Sequence, residues 1–124
     1  FVIDRTLFLD YLPTPYNYLS LFDVYAMCSR SEGFGLAAVE ATLMQTPVVC
    51  SNISIFKEIF DDTKVSFFEL DNISSLLESI NIAISTIGKL KAKVALNYSL
   101  NNFSGYKMAS NYLDIYSNLL NGKI

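Results

Sequence analysis

The sequence predicts an α/β fold, a parallel sheet with helices on both faces. Three observations point there. Short apolar runs of strand length alternate with stretches of helical period. The runs are mainly apolar rather than alternating, as suits strands buried on both faces. The connections between them are short, which suits right-handed crossovers between neighbouring parallel strands.

Taken in order, "TLFL" (6–9) reads as a strand, and "YLPTPYN" with Pro13 and Pro15 as a breaker. Tyr16 to Phe22 is expected to form a short helix and "DVYAMC" (23–28) a second strand. Gly35 to Met44 reads as a helix, with Leu36, Val39 and Leu43 as its buried stripe. "PVVC" (47–50) is a third strand, proline being allowed at its start. Ser54 to Phe60 reads as a short helix and "VSFFE" (65–69) as a fourth strand. From Asp71 the period changes. Ile73, Leu76, Leu77, Ile80, Ile84 and Ile87 fall on one helical face, with Asp71 or Asn72 as N-cap. Gly88 is expected to interrupt this helix, and a further helical stretch runs to about Tyr98. A last helix starts near Ser104 with the stripe Tyr106, Ala109, Tyr112, Leu113, Tyr116 and Leu120. Such a pattern gives a Rossmann-like half sheet, which takes its ligands at the carboxyl ends of the strands.

The 124 residues bound one domain with a real core. Charged residues make up 17%, below the usual level of about a quarter, and the net charge is -3. No Lys/Arg cluster stands out, so a broad grip on nucleic acid is not expected. The chain has no histidine, which removes the commonest general base and metal ligand. Cys28 and Cys50 end apolar runs and read as buried free thiols, consistent with a reducing, cytoplasmic setting. No run reaches the roughly 18 apolar residues of a membrane helix. Most tyrosines and phenylalanines have the spacing of core residues. Lys89, Lys91 and Lys93 read as a solvated helix face, with a weak peripheral membrane contact as the alternative. The chain opens on Phe1-Val2 without a methionine and reads as a piece of something longer.

The chemistry concentrates in "SRSEGFGLAAVEA" (29–41), directly after the second strand. A helix N-terminus offers unpaired N–H groups and partial positive charge. Gly33 and Gly35 let a ligand approach that backbone closely, as a phosphate cradle requires. The spacing is neither the dinucleotide fingerprint nor a P-loop. Glu40 lies at i+4 from Leu36, about 7 Å along the axis from Gly35 at roughly 1.5 Å per residue, near the span from a diphosphate to a ribose. Glu32, before the turn, would accept from a second polyol. On the residues alone, a solvated Glu40 and an incidental loop acid at Glu32 stand as an equal reading.

"SRSEGFGLAAVEATLMQTPVVCSN" closely resembles the donor-binding signature of retaining glycosyltransferases of the glycogen synthase- and sucrose synthase-like family (glycosyl transferases group 1), which have the GT-B fold. Glu32, Gly33, Phe34, Gly35, Glu40, Thr46 and Pro47 carry the match, and "IFKEIFDD" with Glu58 resembles the segment that follows. The resemblance covers about 6–84, and the ending "YLDIY" fits it. It implies that Glu32 holds hydroxyls of the transferred sugar. The amides of Gly33, Phe34, Gly35 and Leu36 would meet the sugar and diphosphate, and Glu40 the ribose. It further implies a metal-independent reaction without a cofactor. Residues 1–124 would be one nucleotide-sugar-binding domain, part of the C-terminal domain, with 104–121 as the C-terminal helix. The glycan or lipid-linked acceptor would be bound by an N-terminal domain that is absent here.

Two departures stand out. Gln45 replaces the family's helix-ending glycine, so it is expected at positive φ at a cost of about 1 kcal/mol. The family's upstream phosphate-binding Arg and Lys are missing, since Arg5 and Arg30 do not occupy that place. The leading expectation is the donor-binding half of a hexosyltransferase of polysaccharide biosynthesis. It would be inactive alone, cytoplasmic or membrane-peripheral, and able to self-associate through the aromatic face of its last helix. The alternatives are a non-catalytic nucleotide-sugar-binding module and a structural α/β domain.

Overall fold

The computed structural model describes residues 2–122. After a 3-10 turn (Val2–Arg5), the elements are α1 (Tyr16–Leu19), β1 (Tyr25–Met27), α2 (Leu36–Leu43), β2 (Val48–Ser51) and α3 (Ser54–Ile59). β3 (Ser66–Phe68), α4 (Ile73–Ile84), α5 (Thr86–Asn102) and α6 (Gly105–Leu120) follow. The sheet is parallel in the order β1-β2-β3, with Tyr25 opposite Val48, Met27 opposite Cys50, and Ser51 opposite Phe68.

β2 shows why this is a doubly covered sheet. All four of its residues are buried. Val48 and Cys50 enter a core with Val39, Phe56, Ile59 and Phe60 from α2, α3 and the turn after α3. Val49 enters a second core with Phe68 and Ala83, flanked by Leu76 and Ile80 of α4. Alternate side chains of one strand thus serve opposite faces. α5 packs on both α4 and α2. The buried Thr42 and Ser99 hydroxyls satisfy each other across α2 and α5 at 2.7 Å, removing the cost of two dry polar groups. Capping follows the sequence. Asn72 accepts from the Ser75 amide at 3.0 Å, and Ser104 accepts from the Lys107 amide at 3.2 Å.

Several expectations are corrected. Residues 6–9 form no strand, and Leu7, Phe8 and Leu9 are 79%, 88% and 60% exposed. An extended segment becomes a strand only where ladder pairing with a neighbouring strand is made, and 6–9 is not among the three strands of the sheet. The helix at Tyr16 stops at Leu19 rather than Phe22. Cys28 is exposed, lying just past the end of β1, and only Cys50 is buried. Burial pushes the Cys50 thiol up to about 12. Core spacing misjudges several aromatics, since Phe8, Tyr11 and Tyr18 are exposed, whereas the bare aromatic face of the last helix, with Tyr106, Tyr112 and Tyr116, is as expected.

The helical stripes are also displaced. α4 buries the small Ser79 and Ala83, with Leu76 and Ile80 half-covered, while Ile73, Leu77 and Ile84 face outward. The α4–α5 break falls at Ser85, which caps α5 by accepting from the Ile87 amide at 3.2 Å. Gly88 does not interrupt the helix; it lies inside the first turn of α5 and lets that turn rest on the backbone of Ala83. Lys91 is not part of a solvated stripe, because its ammonium donates to the Val65 carbonyl at 3.0 Å and the Ser66 hydroxyl at 3.3 Å.

Gln45 has the expected left-handed backbone, with φ 58. Its amide donates to the Thr42 carbonyl and the Thr46 amide to the Ala41 carbonyl, each at 3.0 Å, closing α2 in a Schellman turn. Gln45 is exposed, so Gln45→Gly removes strain without opening a cavity. Urea denaturation should show a stabilisation of at most about 0.5 kcal/mol after the entropy of glycine is deducted.

Candidate donor site at the carboxyl ends of the strands

The loop 28–35 leaves β1 at the carboxyl edge of the sheet and delivers the chain into α2. Gly35 is the N-cap of α2 with φ 84 and ψ 45. An L side chain rarely adopts this conformation. A Cβ here would also lie 2.5 Å from Cε1 of the fully buried Phe56. Glycine is therefore required both by backbone and by space. Gly33 has open space where a side chain would go. Among the described residues, the amides of Gly33, Phe34, Gly35 and Leu36 have no protein acceptor. They stand at the positive end of an eight-residue helix, which gives a concave, anion-seeking backbone.

The carboxylates flank this cradle. Glu32 is half-buried just before the turn and accepts from the Ser29 hydroxyl at 2.6 Å. Glu40 is half-buried on α2, between the buried Val39 and Ala41. Leu36 does not belong to the buried stripe: its side chain is 66% exposed, and Ala38, Val39, Ala41 and Thr42 form the covered face. Glu40 lines a cavity of about 470 Å³ whose apolar walls include Leu36, Val39, Leu43, Phe103 and Met108, and it is the one charged residue there.

Phe34 is 41% exposed and sets its ring edge-on to Phe103, with centroids 5.7 Å apart. Phe103 meets Tyr98 in the same way at 5.6 Å, so the corner between α5 and α6 braces the motif loop. Neither Phe103 nor this corner was singled out by the sequence, because contact across more than 60 positions leaves no local pattern. Tyr25 also emerges only here. Burial first, then the negative potential of Cys50, Glu40, Glu32 and Cys28, pushes its phenol above its ordinary value.

Arg30 is engaged elsewhere. Its guanidinium pairs with Asp71, which holds that carboxyl below the usual carboxylate range. Glu58 is exposed on α3. Among the described residues no three His, Cys, Asp or Glu side chains converge, and no helix is long and apolar enough to cross a membrane. A larger groove, about 600 Å³, runs along α4 past Leu77, Glu78 and Asn81. It is open, lies on the flank of one helix and gathers no catalytic groups, so its size carries no functional weight.

A carboxylate, a left-handed glycine turn with free amides, and a second carboxylate about one helical turn on thus lie together at the start of α2. The chain belongs to the glycosyl transferases group 1 family, whose model matches residues 2–97. It is 39% identical over 116 residues to the O-antigen biosynthesis glycosyltransferase WclY of Escherichia coli, covering 94% of this chain and 32% of that protein. It is 31% identical over 98 residues to an uncharacterized 41.2 kDa protein in the cps region of Klebsiella pneumoniae, covering 76% of this chain and 26% of that protein. The chain thus spans about a third or less of the curated relatives it matches. In fold it is similar to the crystal structure of TarM, with a TM-score of 0.73 over 93% of this chain and 25% of that one, at 23% identity. The parallel sheet between helices and the family membership both bear out the sequence reading.

Proposed function

We propose that this chain is the donor-binding part of a retaining glycosyltransferase with the GT-B fold. The parent protein transfers a hexose from a nucleotide diphosphate sugar to a glycan or lipid-linked acceptor in polysaccharide biosynthesis. The observation that carries this reading is the set of free amides from Gly33 to Leu36, held open by the left-handed Gly35. The similarity to a glycosyltransferase of O-antigen biosynthesis supports the polysaccharide setting.

The proposed division of labour follows from distance and charge. The diphosphate sits over the amides at the start of α2, where the helix end favours its charge. Glu40, about 7 Å along the helix axis, accepts from the ribose hydroxyls. Glu32 accepts from hydroxyls of the sugar on the other side. When the bond between the anomeric carbon and the diphosphate oxygen breaks, negative charge grows on the leaving group. Pre-oriented N–H groups stabilise that charge with little reorganisation. The carboxylates fix the sugar and the nucleotide so that the breaking bond lies over the cradle. No side chain here is assigned as a nucleophile, and the reaction needs no metal or further cofactor from this chain.

Calorimetric titration with UDP, GDP, UDP-glucose and UDP-N-acetylglucosamine tests the proposal. One nucleotide series should bind, and Glu40→Gln should weaken nucleotide and nucleotide sugar alike by about tenfold or more, the cost of a charged hydrogen bond. Unchanged affinity in Glu40→Gln, or no binding by the folded chain, would contradict it.

A further inference from the structure

We infer that Ser29, itself held by Ser51, is the positioning residue that aims Glu32 at the donor sugar. This rests on the donor-site reading above and adds to it a determinant of sugar recognition outside the glutamate–glycine motif.

Arg30 and Phe34 tether the loop between β1 and α2 to Asp71 and Phe103, but among the described residues only Ser29 bonds the Glu32 carboxylate. Gly33 meets nothing where a side chain would be, and the amides from Gly33 to Leu36 have no protein acceptor among the described residues. Without the bond from Ser29 the Glu32 side chain would sample many directions, and ordering it at binding would weaken affinity. Two hydroxyls remove that freedom. The Ser29 hydroxyl donates to Oε1 of Glu32 at 2.6 Å. The Ser51 hydroxyl donates to the Ser29 carbonyl at 2.5 Å. Ser51 is fully buried at the end of β2, where the Asn52 amide that follows it is bonded to the Phe68 carbonyl of β3 at 2.8 Å. The rigid centre of the sheet is therefore linked, through Ser51 and Ser29, to a single carboxylate oxygen.

The chemical consequence is selective. With Oε1 engaged by Ser29, Oε2 is the oxygen presented to the ligand, in one fixed direction. A carboxylate so aimed recognises hydroxyls of a pyranose ring by position. It contributes nothing to a nucleotide that carries no sugar. Ser29 touches no ligand itself and acts only through Glu32.

The test is calorimetric titration of the full chain with UDP and UDP-glucose, or with GDP and GDP-mannose should the guanine series bind. Ser29→Ala should weaken the nucleotide sugar about tenfold and change the free nucleotide less than about twofold. Ser29→Thr should restore the wild-type ratio, because threonine keeps the hydroxyl. In a Glu32→Gln background, Ser29→Ala should have little further effect, since the two act as one unit. Equal weakening of both ligands by Ser29→Ala, with a lowered melting temperature, would show a structural serine and overturn the inference. So would unchanged affinity for both while Glu32→Gln still weakens the nucleotide sugar. If Glu32→Gln leaves the nucleotide sugar unaffected, or if no ligand binds, the donor reading itself fails and the positioning role falls with it.

Discussion

Gly88→Ala is expected to destabilise the fold by about 3 kcal/mol or more, a cost that puts it among the severe overpacking substitutions. Gly88 is buried where α5 first turns against the end of α4. An added Cβ would fall far inside the contact distance of the Ala83 carbonyl oxygen, with the Ala83 carbonyl and Cα carbons also too close. These are backbone atoms and cannot rotate away, so α4 and α5 must part. The damage would spread, because α5 also supplies the Ser99 hydroxyl to Thr42 and the Lys91 ammonium to the Val65 carbonyl. Gly105→Ala is the control. It opens α6, has nothing near its Cβ position, and should be neutral or stabilising by about 0.5 kcal/mol. Urea denaturation of the two variants beside the wild type reads both effects, and a loss below about 1 kcal/mol for Gly88→Ala would contradict the close approach.

Gly35→Ala should cost about 2–4 kcal/mol through two additive causes. The backbone at φ 84 resists an L side chain, and Phe56, whose ring fills the core beneath α2, must move to admit the methyl group. Relief of either strain would rotate the peptide planes of Phe34 to Leu36. The variant should therefore lose nucleotide affinity even below its melting temperature, whereas Gln45→Gly at the other end of α2 should keep it. Calorimetry at about 10 °C separates the effects. Retention of full affinity by a folded Gly35→Ala chain would show that the cradle does not depend on this turn.

Much of the architecture was legible, and the failures are instructive. β1 and β3 fall within the apolar runs that announced them and β2 overruns its own by Ser51, because strands buried on both faces need mainly apolar sequence. "TLFL" has the same composition and forms no strand, since pairing depends on a neighbour that local sequence does not describe. α2 was legible as a helix, but its buried face was not. Leu36, Val39 and Leu43 looked like the stripe, whereas the tightly packed side is made by Ala38, Val39, Ala41 and Thr42. Small residues bury well where helices approach closely, and hydrophobic periodicity underweights them. The same reason hid Ser79, Ala83 and Gly88.

At the candidate site, the glycine turn and both carboxylates were legible because backbone conformation and charge at a helix start leave a local signature. Ser29, Ser51, Tyr25 and Phe103 were not. Their contribution comes from contacts between the ends of different strands and helices. Cys28 shows the limit in the other direction: one residue past the end of β1, an apolar run no longer implies burial.

The most direct measurement is a two-dimensional amide NMR titration of the chain with UDP-glucose and UDP, followed by the same titration of Glu40→Gln. Binding at the proposed site would move the amide signals of Gly33, Phe34, Gly35 and Leu36 together with those around Glu40, and the variant would lose these shifts. Shifts centred elsewhere, such as the groove of Leu77, Glu78 and Asn81, or shifts at the cradle that persist undiminished in Glu40→Gln, would contradict the account.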